Sequence, residues 1–430
     1  MAEGIVVPET TTDTTASFQS IGGVHETNHR RDVCLVIARK GNEDKFTLTL
    51  QTNHPALQAE LGSSSSYVLP LDKQQLWAAV QQCQSAWAPA VNHYLNDLRK
   101  PELPPDLLLE LAKAGRKLFL DIFFPEGDEH LELRKVFSVF TEHLHRGELW
   151  LRVESSEFFA PWNLLYSKKV PLEPGPGLDP SGFWGYQHVI EHVPSDSGSQ
   201  GFEPTANHGD AYRVSLQLDN NLDQQFSVPV TKPVISLLSS YSSAQLQQIP
   251  RPVKDDLAKA LSGGPRNDHF MYFCCHAEAA GFTSAINIAP SWLYLTDGPA
   301  VRIEPGDIRL WLDEQMLDEH PIVFINACGG AQVNSTFYEG FGRMFLSRHA
   351  SAVIGPQTEV PALFAGEFAR CFFKDFFRGG YDNSLALVLF RLRRMMWDEY
   401  CNPLGLVYSL YRDADIFLPR PIEPATPPTQ

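Results

Sequence analysis

Pro321-Ile-Val-Phe-Ile-Asn-Ala-Cys328-Gly-Gly330 is the stretch on which the reading of the fold turns. Ile322 to Asn326 are nearly all apolar and β-prone, which predicts a buried strand stopping at Cys328. The two glycines let the backbone turn tightly beside the thiol. From Val333 to His349 the pattern becomes helical. A cysteine between the end of a buried strand and the start of a helix occupies the ligand-facing edge of an open α/β sheet. The helix N-terminus and free backbone N–H groups there favour a thiolate and an oxyanion.

A second apolar strand, His269-Phe-Met-Tyr-Phe-Cys-Cys-His276, ends in a histidine 52 residues before that cysteine (328 − 276 = 52). Strand ends that lie side by side in a parallel sheet would bring imidazole and thiol to one rim. The spacing and the Asn326-Ala-Cys-Gly-Gly330 run resemble the caspase arrangement, a Gln-Ala-Cys-x-Gly nucleophile with its histidine about 50 residues upstream. Taken singly, each residue has a plainer reading: the cysteine as a small core residue, the histidine as a polar strand cap. Taken together, they point to a Cys328–His276 dyad.

The chain of 430 residues is 43% hydrophobic, enough for one large or two ordinary packed domains. Its formal charge of −16 argues against a general nucleic-acid or anionic-membrane binder. No apolar run is long enough to span a bilayer, and Met1-Ala-Glu-Gly-Ile-Val-Val lacks the regions of a signal peptide, so a cytoplasmic protein is expected. Seven cysteines at irregular spacing, with no CxxC pair, suggest neither a zinc site nor a disulfide framework. Cys83 and Cys371 fall in apolar helical stripes and are read as core. Cys274 and Cys275 face opposite sides of their strand as packing residues, Cys275 being a secondary candidate for the site.

Residues 1–30, with the run Thr10-Thr-Thr-Asp-Thr-Thr15, read as a flexible tail. Segments 32–38 and 46–50, separated by Gly41-Asn-Glu-Asp, predict a hairpin. Leu76, Val80, Cys83, Trp87, Val91, Tyr94 and Leu98 form a helical core stripe broken or kinked at Pro89. Two further helices carry Leu108–Leu118 and Leu131–Leu144. Leu149, Leu151 and Val153 alternate as in a half-buried strand, and Trp162 reads as a packing anchor rather than a substrate platform. After a Pro- and Gly-rich connector with one strand at Gly185–Val193, the second half opens on a strand at Tyr212–Leu218. It continues through the short apolar run Val234–Leu238, a helix at Val253–Leu261, the His276 strand, a loop at Ala277–Pro290 and a strand at Ser291–Thr296. A helix through Ile308–Met316, the Cys328 strand, a short strand at Ala352–Gly355, helices at 362–378 and 383–398, and a strand at Val407–Tyr411 complete it. The boundaries are a first half 31–193, a linker 194–210, a second half 211–418 and a C-terminal tail 419–430. Strands alternating with helices indicate an α/β fold with a mostly parallel sheet covered on both faces.

Ala160-Pro-Trp-Asn-Leu-Leu-Tyr166, the strand ending in His276, Trp292-Leu-Tyr-Leu-Thr-Asp-Gly298, Asn326-Ala-Cys-Gly-Gly330, Ser351-Ala-Val-Ile-Gly355 and Asn402-Pro-Leu-Gly405 together resemble CHAT-domain proteins, a caspase-like group related to separases and caspases. The resemblance covers most of residues 32–418. It implies a three-layer caspase-like sandwich, with 31–193 as a pseudo-caspase half and 211–418 as the catalytic half. It implies a cysteine endopeptidase with the dyad His276 and Cys328, acting in bacterial defence or cell-death circuits. Departures from the family pattern are Asn163 for a Glu, Ala277 for the Gly after the histidine, and Thr358 and Ala362 for a Trp and an Asp.

On this reading the backbone N–H groups of Cys328, Ala277 and Gly329 form the oxyanion hole. A single such donor contributes about 3 kcal/mol. Glu278 and Glu359 are candidates for a substrate-binding pocket, with solvated surface carboxylates as the plainer reading. No acidic third member stands out. The expected partners are a protein substrate and an activating protein that relieves latency, also relieved by cleavage in 194–210; no metal, cofactor, nucleic acid or membrane is called for. The rival is a catalytically silent caspase-like scaffold. A nucleotide-binding α/β protein is disfavoured, because no GxGxxG or GxxxxGK[ST] follows a strand.

Overall fold

The computed structural model describes residues 31–41, 43–99, 103–155, 158, 160–174, 178–194, 211–279, 291–327 and 338–424. Cys328 and Gly329, the 1–30 tail, nearly all of the 194–210 linker, most of the 277–290 loop and residues 425–430 lie outside these.

The hairpin expected around Gly41 is present. Strand β1 (Val33–Arg39) pairs antiparallel with β2 (Lys45–Thr52), and β2 with β3 (Ser64–Asp72). Gly41 takes φ +56° in the turn, a conformation that side chains disfavour. β4 (Trp150–Ser155) runs parallel to β1, and β5 (Val189–Val193) parallel to β4. In the second half, β6 (Tyr212–Leu218), β7 (Leu246–Pro250) and β8 (Phe270–Cys274) are followed by β9 (His276–Ala279) and β10 (Ser291–Tyr294), which form a separate antiparallel pair. β11 (Ile322–Ile325), β12 (Ala352–Pro356) and β13 (Tyr408–Tyr411) complete the set.

One 11-stranded sheet runs through both halves in the order β3-β2-β1-β4-β5-β13-β12-β11-β8-β6-β7. The β1–β2, β2–β3 and β12–β13 contacts are antiparallel and the others parallel. A parallel sheet needs both faces covered, and side-chain alternation shows how that is done. Phe270, Tyr272, Cys274, Phe324 and Ile354 pack into one core with Phe364, Phe368, Phe372 and Phe376 of the helix Ala362–Phe376. Met271, Phe273, Cys275, Val323 and Ile325 pack into a second core with residues of the helices Lys254–Gly263, Pro305–Leu312 and Arg343–Ser347. Neighbouring residues of one strand therefore serve opposite layers, and the architecture is an α/β three-layer sandwich. Phe270 and Phe373, with ring centroids 4.9 Å apart, belong to the aromatic side of it. Truncating such a buried ring to Ala costs about 3–5 kcal/mol. No helix among the described residues is long and apolar enough to cross a membrane.

Several local expectations need correction. The strand read at Gly185–Val193 begins only at Val189, because Trp184–Gln187 is a helical turn. A Cβ on Gly185 would lie 2.7 Å from the Asn163 Cβ, so the close approach there demands glycine. The apolar run Val234–Leu238 lies in a helix, Lys232–Ser239. Ala277–Ala279 is strand rather than loop. Two edge strands, β3 and β7, are additional. As expected, the long first helix divides near Pro89 into Lys73–Ser85 and Ala88–His93. Cys83 and Cys371 are buried, and Trp162 is a packing residue, stacked on Trp184 at 6.3 Å. Asn163 ties this segment to β13, its Nδ2 donating to Tyr408 O at 2.8 Å and to Ser409 Oγ at 2.9 Å.

Candidate active site

The strands β6, β8 and β11 are parallel neighbours, so their C-terminal ends share one rim. β8 and β11 pair Phe270 with Ile322 and Phe273 with Ile325, a constant offset of 52 residues (322 − 270 = 52). Beyond Ile325, the Asn326 N–H donates to Phe273 O at 2.8 Å. Asn326 itself is fully buried. Its Nδ2 donates to Tyr272 Oη at 3.1 Å and to Ala365 O at 2.8 Å, while Tyr408 Oη donates to its Oδ1 at 2.6 Å. The amide thus spends its donors and an acceptor on three different elements, holding the end of β11 between β8, β13 and a covering helix.

His276 opens β9 just past the end of β8 and is 6% exposed. Its ring stacks on Tyr294 of β10, with centroids 5.0 Å apart and planes at 21°, and tilts against Phe226 at 5.7 Å. Its Nε2 lies 2.8 Å from Gln225 Oε1 and 3.8 Å from Asp219 Oδ2. Neither neighbour was singled out in the sequence. Asp219 directly follows β6, and its approach to His276 comes from the pairing of β6 with β8 through Leu218 and Cys274, which no local sequence pattern announces.

Of the other candidates, Ala277 is buried and pairs with Leu293. Glu278 is engaged within its own hairpin: Trp292 Nε1 donates to one oxygen at 2.8 Å and Tyr294 Oη to the other at 3.2 Å. Arg302 lies over the Trp292 ring at 4.2 Å. Glu359 follows β12, half-buried, and burial raises its carboxyl above the ordinary range.

Cys274 and Cys275 are both fully buried, one in each core. Burial pushes the Cys274 thiol up to about 12 and raises that of Cys275 well above its ordinary value. Neither forms a thiolate readily at neutral pH. Cys34, Cys83 and Cys371 are raised in the same way, chiefly by burial. Among the described residues no group of three or more His, Cys, Asp or Glu side chains could hold a metal.

No protein-family profile matches the chain. A protein of Vitiosangium sp. (strain GDMCC 1.1324), named as a probable protease, is 28% identical over 238 residues, covering 53% of this chain and 29% of that protein. Two crystal structures of the Saccharomyces cerevisiae separase–securin complex, at 3.0 and 2.6 Å, give TM-scores of 0.45 and 0.43 at 12% and 13% identity. Each match covers 88% of this chain and 30% of the other. The chain therefore spans less than a third of the length of each of these proteins.

Proposed function

We propose that the chain is a caspase-like cysteine endopeptidase whose nucleophile is Cys328 and whose general base is His276. The observation that carries the reading is the register of β8 and β11. Paired positions lie 52 residues apart (322 − 270), which is also the separation of His276 and Cys328 in the chain (328 − 276). The relative named as a probable protease supports the same class, as do the raised thiols of Cys34, Cys83, Cys274, Cys275 and Cys371, which burial makes poor nucleophiles.

In the reaction proposed, His276 takes the proton of the Cys328 thiol, and the sulfur attacks the carbonyl carbon of a peptide bond. The oxyanion accepts hydrogen bonds from the backbone N–H groups of Cys328, Gly329 and Ala277. As the tetrahedral species collapses, the C–N bond breaks and the leaving amine takes the proton from His276. Water, deprotonated by the same imidazole, then cleaves the thioester and restores the thiol. The chain is held latent until a protein partner activates it, and it acts in the cytoplasm on a protein substrate, in a bacterial defence or cell-death circuit.

A library of peptide substrates incubated with the purified protein, alone and after partial proteolysis, tests this. Cleavage that disappears in Cys328→Ala and in His276→Ala supports the reading. Cleavage that persists in Cys328→Ala contradicts it, and absence of turnover in every state favours the silent scaffold.

A further inference from the structure

Two side chains outside the proposed dyad converge on one nitrogen of His276. Gln225 Oε1 is 2.8 Å from Nε2 and Asp219 Oδ2 is 3.8 Å from it. We propose that Asp219 and Gln225 are positioning residues that hold neutral His276 as its Nε2–H tautomer, so that Nδ1 is the nitrogen that exchanges the proton with the nucleophile. The inference rests on the endopeptidase reading for its last clause only; the tautomer follows from the neighbours.

A neutral imidazole carries hydrogen on one nitrogen and a lone pair on the other. The Gln225 amide oxygen at 2.8 Å accepts a hydrogen bond from Nε2–H, and the Asp219 carboxylate at 3.8 Å, too far to accept one, favours hydrogen on the same nitrogen through its charge. With the Gln225 amide reversed, its NH2 group would require a lone pair on Nε2. That lone pair would then face the Asp219 carboxylate, a repulsive arrangement in a site with little water to screen it.

The Asp219 carboxylate is itself fixed, and Gln225, exposed to solvent, is anchored through its backbone. Asp219 is 4% exposed, its N–H donates to Cys274 O at 2.9 Å, and its Oδ1 accepts from Asn221 N at 2.9 Å, which leaves Oδ2 to face the ring. The Gln225 N–H donates to Asn221 O at 2.8 Å. The far end of the same loop is tied down by Asp223, whose Oδ1 accepts from the N–H groups of Val230 and Thr231, each at 2.7 Å. Tyr294 sets the plane of the ring. A partner oxygen on one imidazole nitrogen dictates the tautomer and aim of the other, the role outer-sphere acceptors play for histidines in general.

Imidazole nitrogen NMR on protein labelled with 15N-histidine reads the tautomer without needing turnover. The His276 resonances are assigned by their loss in His276→Gln, and the pH is raised until the ring is neutral. The expected result is a pyrrole-type Nε2 and a pyridine-type Nδ1 in the native chain, with tautomers mixed in the near-isosteric double variant Asp219→Asn/Gln225→Met. Gln225→Glu, which keeps an oxygen at Nε2, should retain the native pattern. A native Nδ1–H tautomer, or a double variant indistinguishable from native, overturns the proposal. In peptide cleavage, Asp219→Asn should lower kcat by about 10- to 100-fold with KM within about twofold, less than the roughly 10²- to 10⁴-fold that the general base itself contributes. If the tautomer is as stated but no peptide is cleaved by any form, the endopeptidase reading fails while the assignment of Asp219 and Gln225 stands.

Discussion

Tyr411 of β13 stands opposite His192 of β5, and this single paired position joins the strands of the first half to those of the second. The two rings are 5.3 Å apart. Arg412 N–H reinforces the join by donating to His192 O at 2.7 Å. The continuity of the sheet therefore passes through a buried histidine.

That histidine makes the seam acid-sensitive. Burial pushes the His192 imidazole down to about 3, and that of His188 on the preceding turn also to about 3, with His145 adding a smaller push there. In the unfolded chain both would take a proton near pH 6.5, so the unfolded state binds more protons and stability falls as pH drops from about 6.5 towards 3. Each contributes a slope of up to about 1.4 kcal/mol per pH unit. Denaturant unfolding followed by circular dichroism should show this loss, and His192→Gln should lessen it.

Asp413 acts with the opposite sign. Burial, then Glu191 and Asp415, pushes its carboxyl up to about 6. The unfolded chain loses this proton first, near its ordinary value, so stability falls as pH rises from about 4 to 6 and the penalty is complete above that. Asp413→Asn keeps an acceptor for the Asp415 N–H, 3.2 Å from Oδ1. It should flatten this segment of the stability profile and stabilise the protein at pH 7 by up to about 3 kcal/mol, measured by urea unfolding across the range.

Arg393 is 1% exposed, and burial lowers its guanidinium to about 9. Its hydrogen bond among the described residues runs from Nη1 to Gly185 O at 3.5 Å, with no carboxylate paired to it there. A buried cation so poorly compensated is a net burden on the fold. Arg393→Met retains the apolar length of the side chain and should raise stability by about 1–3 kcal/mol, seen as a higher denaturant midpoint with unchanged slope.

Tyr408 stacks on Phe368 at 3.8 Å and donates its hydroxyl proton to Asn326 Oδ1. Tyr408→Phe keeps the ring and leaves that buried oxygen without its donor. The expected loss is about 1–3 kcal/mol. Unfolding by guanidinium measures it.

The β-rich core was legible because buried strands such as Tyr212–Leu218 and Ile322–Ile325 carry β-prone apolar runs bounded by turns. β3 was not, since Ser64-Ser65-Ser66 on an edge strand answers to solvent on its open side and needs no apolar alternation. β7, with Gln247 and Gln248 on the other edge, is hidden for the same reason. His276 could be read from its strand. Asp219 and Gln225 could not, because their approach depends on β6 lying next to β8, an order created by crossovers rather than by any local pattern. Glu278 is engaged by Trp292 and Tyr294 through the β9–β10 pairing, which spans a segment read as loop.

The most direct test of the central claim is covalent labelling with an electrophilic peptidyl ketone, mapped by mass spectrometry. The account predicts modification at Cys328 that is lost in Cys328→Ala and strongly slowed in His276→Ala. Labelling confined to the exposed Cys401, or labelling of Cys328 at an undiminished rate in His276→Ala, would contradict it.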